Sequence, residues 1–158
     1  MTEFEILQIV TGFLGALSFA ILYNIRGRKL VFASIGGLLS WLIFVLLKFV
    51  TESEPIRYFL VAVLISVYAE ILARLIKTPT TTFVITALIP LIPGGSLYYT
   101  LTAAFAGNLE QFQSRGFATL QLSVALALGI VLTAALTRIV VNLLEHFKRK
   151  KGENKHTC

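Results

Sequence analysis

One carboxylate stands well inside an apolar run of this 158-residue sequence. Glu70 lies about one and a half to two helical turns before the run ends at Ile76. A charged side chain is costly in lipid unless it faces protein or water, and it is therefore a functional-site hypothesis. Arg74 follows four residues later on the same helix face and can pair with it. We favour a role in binding a substrate or a proton; the alternative is a salt bridge that only fixes helix packing.

A second group of residues can interrupt a helix. Pro90 and Pro93 each lack a backbone donor, and Gly94 and Gly95 carry no side chain that favours helix. We expect them to unwind their apolar run near its middle. Irregular backbone at membrane depth is tolerated only where it is buried in protein or lines a cavity. The alternative interpretation is a passive proline kink.

Three residues that follow the glycines extend this hypothesis. Ser96 is expected to cap a second half-helix, whose positive end would face an anionic group. Tyr98 and Tyr99 come within one further turn, and we expect one of them to line the same site. Transporters use such breaks because half-helix ends offer free N–H and C=O groups to ions and carboxylates.

The elements that position these residues are membrane-spanning helices. Hydrophobic residues make up 56% of the chain, charged residues 14%, and the mean hydropathy is +0.82; soluble domains carry about 25% charged residues. The apolar residues form long unbroken runs, which predict an all-α integral membrane protein with about five transmembrane helices, the fourth broken at the Pro-x-x-Pro-Gly-Gly motif. The spans are expected at 4–25, 30–50, 56–76, 80–106 and 117–144, within one transmembrane domain of residues 1–145 that precedes a basic cytoplasmic tail at 146–158.

The basic residues predict the orientation of the chain. With the N-terminus outside, eleven lysines and arginines fall on the cytoplasmic side, and only Lys48, Arg57 and Arg115 fall toward the other side. Lys48, Arg57 and Arg138 lie near span ends, where their heads are expected to reach the interface. We therefore expect a multi-pass protein of the plasma (inner) membrane with a cytoplasmic C-terminus.

Several function classes are excluded by residues that the chain lacks. It has no aspartate, its single cysteine is Cys158, and both histidines, His146 and His156, lie in the expected tail. Neither a Ser-His pair nor a metal or diaspartyl site can therefore be assembled within the spans, and we predict no enzyme activity and no cofactor. The basic residues flank apolar runs rather than one face of a soluble domain, so nucleic acid is not an expected partner.

A stripe of small and polar residues lies along the expected fifth span. Its members follow one another at intervals of four: Gln121, Ala125, Gly129, Thr133 and Thr137. Such a stripe lets another helix approach closely. We favour packing within this chain; the alternative is contact with a partner subunit, including a second copy of the chain.

Two segments together resemble a known family. Tyr68, Glu70, Arg74 and the Lys77-Thr78-Pro79 turn, followed by Pro90 to Tyr98, are similar to the threonine/serine exporter family. The similarity is to its short, separate-chain form of the C-terminal membrane half. The resemblance implies a two-subunit secondary exporter in which this chain pairs with a larger membrane subunit. Family members are linked to threonine and serine, and some two-chain members to succinate and related dicarboxylates. The implied functional positions are Glu70, Arg74, Pro90, Pro93, Gly94 and Tyr98.

The leading hypothesis is a proton- or gradient-driven exporter of small polar carboxylates. No GxxxxGK[ST] motif is present, so ATP would have to act through another protein. An amino acid would place its carboxylate at the Pro93-Gly94-Gly95 break and its ammonium group at Glu70, which could instead carry a coupling proton. A dicarboxylate would need a second cationic contact, for which Arg74 is the candidate in the motif region. The alternative function is a non-transporting assembly or stabilising subunit.

Overall fold

Six α-helices account for most of the chain. The computed structural model describes residues 3–153, which contain helices and turns but no strand. The helices are α1 (Glu3–Leu22), α2 (Arg28–Leu46), α3 (Glu54–Ile76), α4 (Thr80–Leu88), α5 (Gly94–Phe105) and α6 (Leu109–Glu153). Two short 3-10 helices, Leu47–Phe49 and Ile89–Leu91, extend α2 and α4. The end of the expected tail, including His156 and Cys158, lies outside the described residues.

The predicted membrane fold is confirmed at the level of its helices. Four of them, α1, α2, α3 and α6, are long and apolar enough to cross a membrane. The segments Thr80–Leu91 and Gly94–Phe105 form a fifth span if they are taken together, and they are bent by 55° at the break between them. The protein is therefore all-α with four to five helices of spanning length, as the hydrophobic runs predict.

The last helix is much longer than the expected span. The polar stretch 107–116 between the fourth and fifth expected spans predicts a loop, but residues 109–116 of it are helical. The side chain of Asn108 explains the early start, because its Oδ1 accepts the N–H of Gln111 at 3.0 Å and caps the helix. Glu110 in the first turn adds a favourable charge. The helix also continues to Glu153, through the beginning of the expected tail.

Residues with positive φ end the helices and set the turns. Asn24 (φ 57°) and Gly27 (φ 65°) lie between α1 and α2, so α1 ends at Leu22 rather than near Ile25. Lys77 (φ 52°) ends α3, and its N–H bonds to the carbonyl of Ala73. The helices therefore follow one another through short connections, as antiparallel neighbours require.

Helix α3 lies at the centre of the packing. It contacts α2, α4 and α6, whereas α1 packs mainly on α2, and α5 on α6. One core cluster joins α2, α3, the α4 segment and α6: Phe44, Tyr58, Val61, Ile65, Ala87, Leu88, Leu91 and Leu122. A second cluster joins the other ends of α1 to α4: Ala20, Ala33, Ala69, Leu72, Ala73 and Phe83. The centre of the fold thus presents both faces of α3 to neighbouring helices.

The small residues of the fifth-span stripe pack inside this chain. Gly129 and Thr133 are buried, and a Cβ placed on Gly129 would lie 2.6 Å from Cβ of Ala62 on α3. Gly36 makes a similar approach to Ala87 of α4, at 2.8 Å. The favoured interpretation, packing within the chain, is confirmed at Gly129. Arg74 lies twelve residues after Ala62, Val141 lies twelve residues after Gly129, and both line one hollow. Helices α3 and α6 therefore run parallel from this contact.

Candidate functional site

The ion pair predicted within α3 is present. The Oε2 atom of Glu70 lies 3.6 Å from Nη2 of Arg74, one turn further along the helix. This distance is longer than the 2.7–2.9 Å typical of a charge-assisted hydrogen bond, so the pair is loose. The Glu70 side chain is 20% exposed and that of Arg74 is 51% exposed. Both groups can therefore be reached by a ligand without unfolding α3.

A groove opens beside this pair. It has a volume of about 680 Å³ and is lined by Glu70, Arg74 and one side of α6 between Ile130 and Asn142. This size is in the range of small-molecule sites. The lining includes Arg138, which the sequence suggests as an interfacial residue near a span end. The groove thus holds one carboxylate and two guanidinium groups among apolar helices.

An apolar hollow adjoins the groove on the other side of α6. It has a volume of about 350 Å³, and it shares Arg74, Thr137 and Val141 with the groove. Its remaining lining is mostly aliphatic, as at Val67 and Leu136. The charged site is therefore bordered by low-dielectric surroundings, in which charge–charge interactions are stronger than in water.

The predicted break in the fourth span is present, but it is shorter than expected. Ile92 is extended (ψ 125°), Pro93 precedes α5, and Gly94 and Gly95 are already the first helical residues. The two prolines account for the break, because Pro93 disfavours helix at the residue before it and supplies no N–H. The expectation that the glycines themselves are unwound is wrong.

The expected cap of α5 is also wrong. Ser96 is the third residue of the helix, the capping position is Pro93, and no side chain bonds to the free N–H groups there. Instead, the carbonyl of Ser96 accepts a hydrogen bond from Oγ1 of Thr100 at 2.8 Å. Since the capping position of α5 is Pro93, three residues before Ser96, Ser96 is already too far along the helix to cap it.

The structure does not bring the break in the fourth span and Glu70 into one groove. The groove has no lining residue from α4 or α5, whereas Pro90 lines a separate cavity of about 240 Å³ with Gln8 and Trp41. Tyr98 is 65% exposed, and its ring packs edge-on against Tyr99 at 5.5 Å. The roles expected for Pro90, Pro93, Gly94, Gly95, Ser96 and Tyr98 in binding stay predictions.

Tyr68, which is part of the family resemblance but to which the sequence assigned no role, joins two helices beside the site. The hydroxyl of Tyr68 donates to the carbonyl oxygen of Phe32 at 2.9 Å and ties α3 to α2 two residues before Glu70. The sequence indicates such a contact, because Tyr68 lies inside an apolar span and its hydroxyl needs a hydrogen-bond partner. Where the side chains of the neighbouring helix are apolar, a backbone carbonyl oxygen can accept this hydrogen bond.

The chemistry of the groove is electrostatic binding. Glu70 can hold a cationic group or a proton, and each arginine can hold a carboxylate with two parallel hydrogen bonds. Within residues 3–153, no cluster of three or more histidine, cysteine, aspartate or glutamate side chains could hold a metal ion. The groove therefore suits a small polar molecule with at least one charged group.

Comparison with known proteins agrees with this chemistry. A family model described as "Threonine/Serine exporter, ThrE" matches residues 8–136. The match includes α3, both halves of the broken span and the first part of α6, up to the middle of the groove. No curated protein and no solved structure matches the sequence.

Proposed function

The chain belongs to the threonine/serine exporter family, and from that premise we propose that it is the membrane subunit of a two-component secondary exporter of small polar carboxylates. The family is one of exporters rather than of enzymes, and the helices are those of a multi-pass membrane protein. The substrate class that the family description names is threonine and serine. These amino acids carry one cationic and one anionic group, and the groove offers partners for both.

The observation that carries the proposal is the Glu70–Arg74 pair in a groove of about 680 Å³. A purely structural salt bridge in an apolar bundle must be short and well oriented, because only then does the attraction between the charges offset the cost of their desolvation. This pair is long and opens into the groove. Glu70 is therefore proposed to bind the ammonium group of the substrate or a coupling proton, with Arg74 as its charge partner.

The proposed partner is a larger membrane subunit that carries the other half of the exporter. Among the described residues, those that line the groove belong to α3 and α6, and most large apolar residues of α6 are exposed in this chain. A helix of the partner beside the groove would enclose the substrate and exclude lipid. Assembly of identical copies is a second way of covering the same face. Lipid covers the remaining exposed apolar surface.

The proposed orientation places the N-terminus outside and the C-terminus in the cytoplasm of the cell, in its plasma (inner) membrane. It rests on the lysine and arginine distribution. In that orientation, Glu70 and Arg74 lie in the cytoplasmic half of α3, six and two residues from its end at Ile76. An exporter collects its substrate from the cytoplasm, so the groove lies on the side where binding must occur.

The two arginines of the groove favour dicarboxylates as a second substrate class. Arg74 and Arg138 line one groove, and two guanidinium groups suit the two carboxylates of succinate-type dicarboxylates. The alternative role, a non-transporting assembly subunit, would use the exposed apolar side chains of α6 as its contact with the partner. In that case, the charged groove would be occupied by side chains of the partner.

The test is efflux from cells loaded with labelled threonine or labelled succinate. The chain is expressed alone, with its larger partner, and the partner is also expressed alone. We expect efflux of one of the two compounds only when both chains are present. Efflux by the partner alone at the same rate would contradict the proposal and favour the assembly role. The compound that is exported identifies the substrate class.

A further inference from the structure

A line of three residues on α6 gives the groove a second charged side. Ala134, Arg138 and Asn142 follow one another at intervals of four, and all three line the groove that holds Glu70 and Arg74. The alanine leaves space, the arginine brings a charge, and the asparagine brings an amide with donors and an acceptor. We call Ala134, Arg138 and Asn142 the Arg138 line.

Arg138 is not needed for the packing of α6 on α3. It follows the buried Gly129 by nine residues, which places it about half a turn around the helix from the face that contacts α3. Its side chain is exposed in the chain alone. Arg138 lies six residues before the end of the expected span at residue 144, a position that also fits an interfacial arginine. Its place in the lining of the groove, beside Glu70 and Arg74, is the observation that points to binding.

The charges of the described side chains that line the groove do not balance. Glu70 pairs with Arg74, whereas no side chain that the structure describes forms an ion pair with Arg138. One carboxylate and two guanidinium groups leave these described side chains with one net positive charge in apolar surroundings. Such a charge attracts an anion, and a guanidinium presents two parallel N–H groups that match a carboxylate.

We propose that Arg138 binds the carboxylate of the exported molecule, while Glu70 holds its cationic group or the coupling proton. This inference rests on the proposed exporter function. It assigns the anion to the Arg138 line rather than to the start of α5, which does not line the groove. Asn142, one turn beyond Arg138, supplies a further hydrogen bond, and Ala134 makes room for the substrate. Arg138 thereby selects acids over neutral analogues.

The first test is competition in inverted membrane vesicles that contain both subunits. Uptake of labelled threonine is measured with unlabelled threonine or threoninamide as competitor; the amide keeps the ammonium group and lacks the carboxylate. We expect the wild type to prefer threonine by about tenfold or more, as loss of a hydrogen-bonded charge predicts. Arg138→Gln should lose this preference, and Arg138→Lys should restore part of it.

The control variant is Arg28→Gln. Arg28 is an exposed arginine at the start of α2, and it does not line the groove. The control should keep the preference for threonine over threoninamide. A preference that persists in Arg138→Gln would overturn the inference. The same holds if Arg138→Gln prevents the two subunits from purifying together, since Arg138 would then be a partner contact.

A binding measurement separates failure of this inference from failure of the proposed function. The complex is placed in nanodiscs of phosphatidylcholine, and its thermal stability is followed with threonine, threoninamide and succinate. Stabilisation by an acid that is lost in Arg138→Gln supports the inference even if vesicles transport nothing. Equal stabilisation of both variants, or none by either acid, refutes it. A further sample contains phosphatidylglycerol in the nanodiscs. Stabilisation by this lipid and by neither acid would assign Arg138 to a lipid phosphate and would also refute the inference.

Discussion

Gly129 of α6 lies against Ala62 of α3 with no room for a side chain between the two helices. A Cβ on Gly129 would be 2.6 Å from the Cβ of Ala62 and 2.8 Å from the carbonyl oxygen of Phe59. The two helices run parallel from this contact, and the groove opens further along them, where Glu70 meets the Ile130–Asn142 side of α6. The position of the charged groove therefore depends on a glycine that does not itself line it.

Gly129→Ala should destabilise the protein. The added methyl group meets backbone as well as a side chain, so the helices must separate, at a cost of about 1–3 kcal/mol. Thermal unfolding in detergent should show a lower Tm. Gly15→Ala is the matched control, because no atom lies within 4 Å of its added Cβ, and it should leave the Tm unchanged or raise it. Equal Tm values for Gly129→Ala and the wild type would contradict the proposed register.

Glu70→Gln should abolish export without loss of the complex. The substitution keeps the size of the side chain and removes the charge that is proposed to hold a cationic group or a proton. We expect efflux by the two-chain system to fall about tenfold or more, the effect of losing a charge-assisted contact. Glu52→Gln, at an exposed loop position, is the control and should export normally. Normal efflux by Glu70→Gln at equal complex yield would make Glu70 a packing residue.

Tyr68→Phe should loosen the contact between α3 and α2. It removes the hydrogen bond from Tyr68 to the carbonyl oxygen of Phe32 and leaves the ring in place. The free energy of unfolding should fall by about 0.5–1.5 kcal/mol, and the Tm should fall with it. Tyr23→Phe changes an exposed tyrosine and serves as the control. A Tm that falls equally in both variants would mean that the Tyr68 hydrogen bond contributes nothing specific.

Pro93→Ala should reduce the bend of the fourth span. Alanine restores a backbone N–H and releases Ile92 from the extended conformation, so helix can continue across the break. Spin labels at Thr81 and Leu101, both exposed, should move apart toward the separation of about 30 Å in a straight helix. Pro55→Ala lies in the first turn of α3, where proline is tolerated, and should leave that distance unchanged. An unchanged distance in Pro93→Ala would place the cause of the bend elsewhere.

The helices followed from the sequence because hydrophobic runs of spanning length have few other structures available. Residues 109–116 were the exception: their polarity predicted a loop, but the Asn108 cap and ordinary helix propensity produced a helix. The Glu70–Arg74 pair was predictable because both residues lie on one helix. The contribution of Arg138 to the same groove was not, because it depends on which faces of α3 and α6 meet.

In the broken span, too, the sequence predicts the local backbone but not the tertiary contacts. Two prolines three residues apart predicted a break, and it lies at Ile92 and Pro93 as local backbone chemistry requires. Which cavity the break borders is decided by tertiary packing. Because α4 packs on α2 and α3, Pro90 meets α1 and α2 rather than Glu70. The order of residues in the sequence does not show that Pro90 and Glu70 line different cavities.

The length of α6 has a mechanical consequence. Its 45 residues extend over about 67 Å, more than twice the roughly 30 Å of hydrocarbon in a bilayer. Gly129, where α6 packs against α3, is near the middle of the helix. A rigid tilt of α6 would therefore pivot about that contact. A tilt of about 5° would move the two ends by about 3 Å in opposite directions. For the proposed exporter, such a tilt would couple an inward displacement of one end of α6 to an outward displacement of the other end, which is the relationship that alternating access requires.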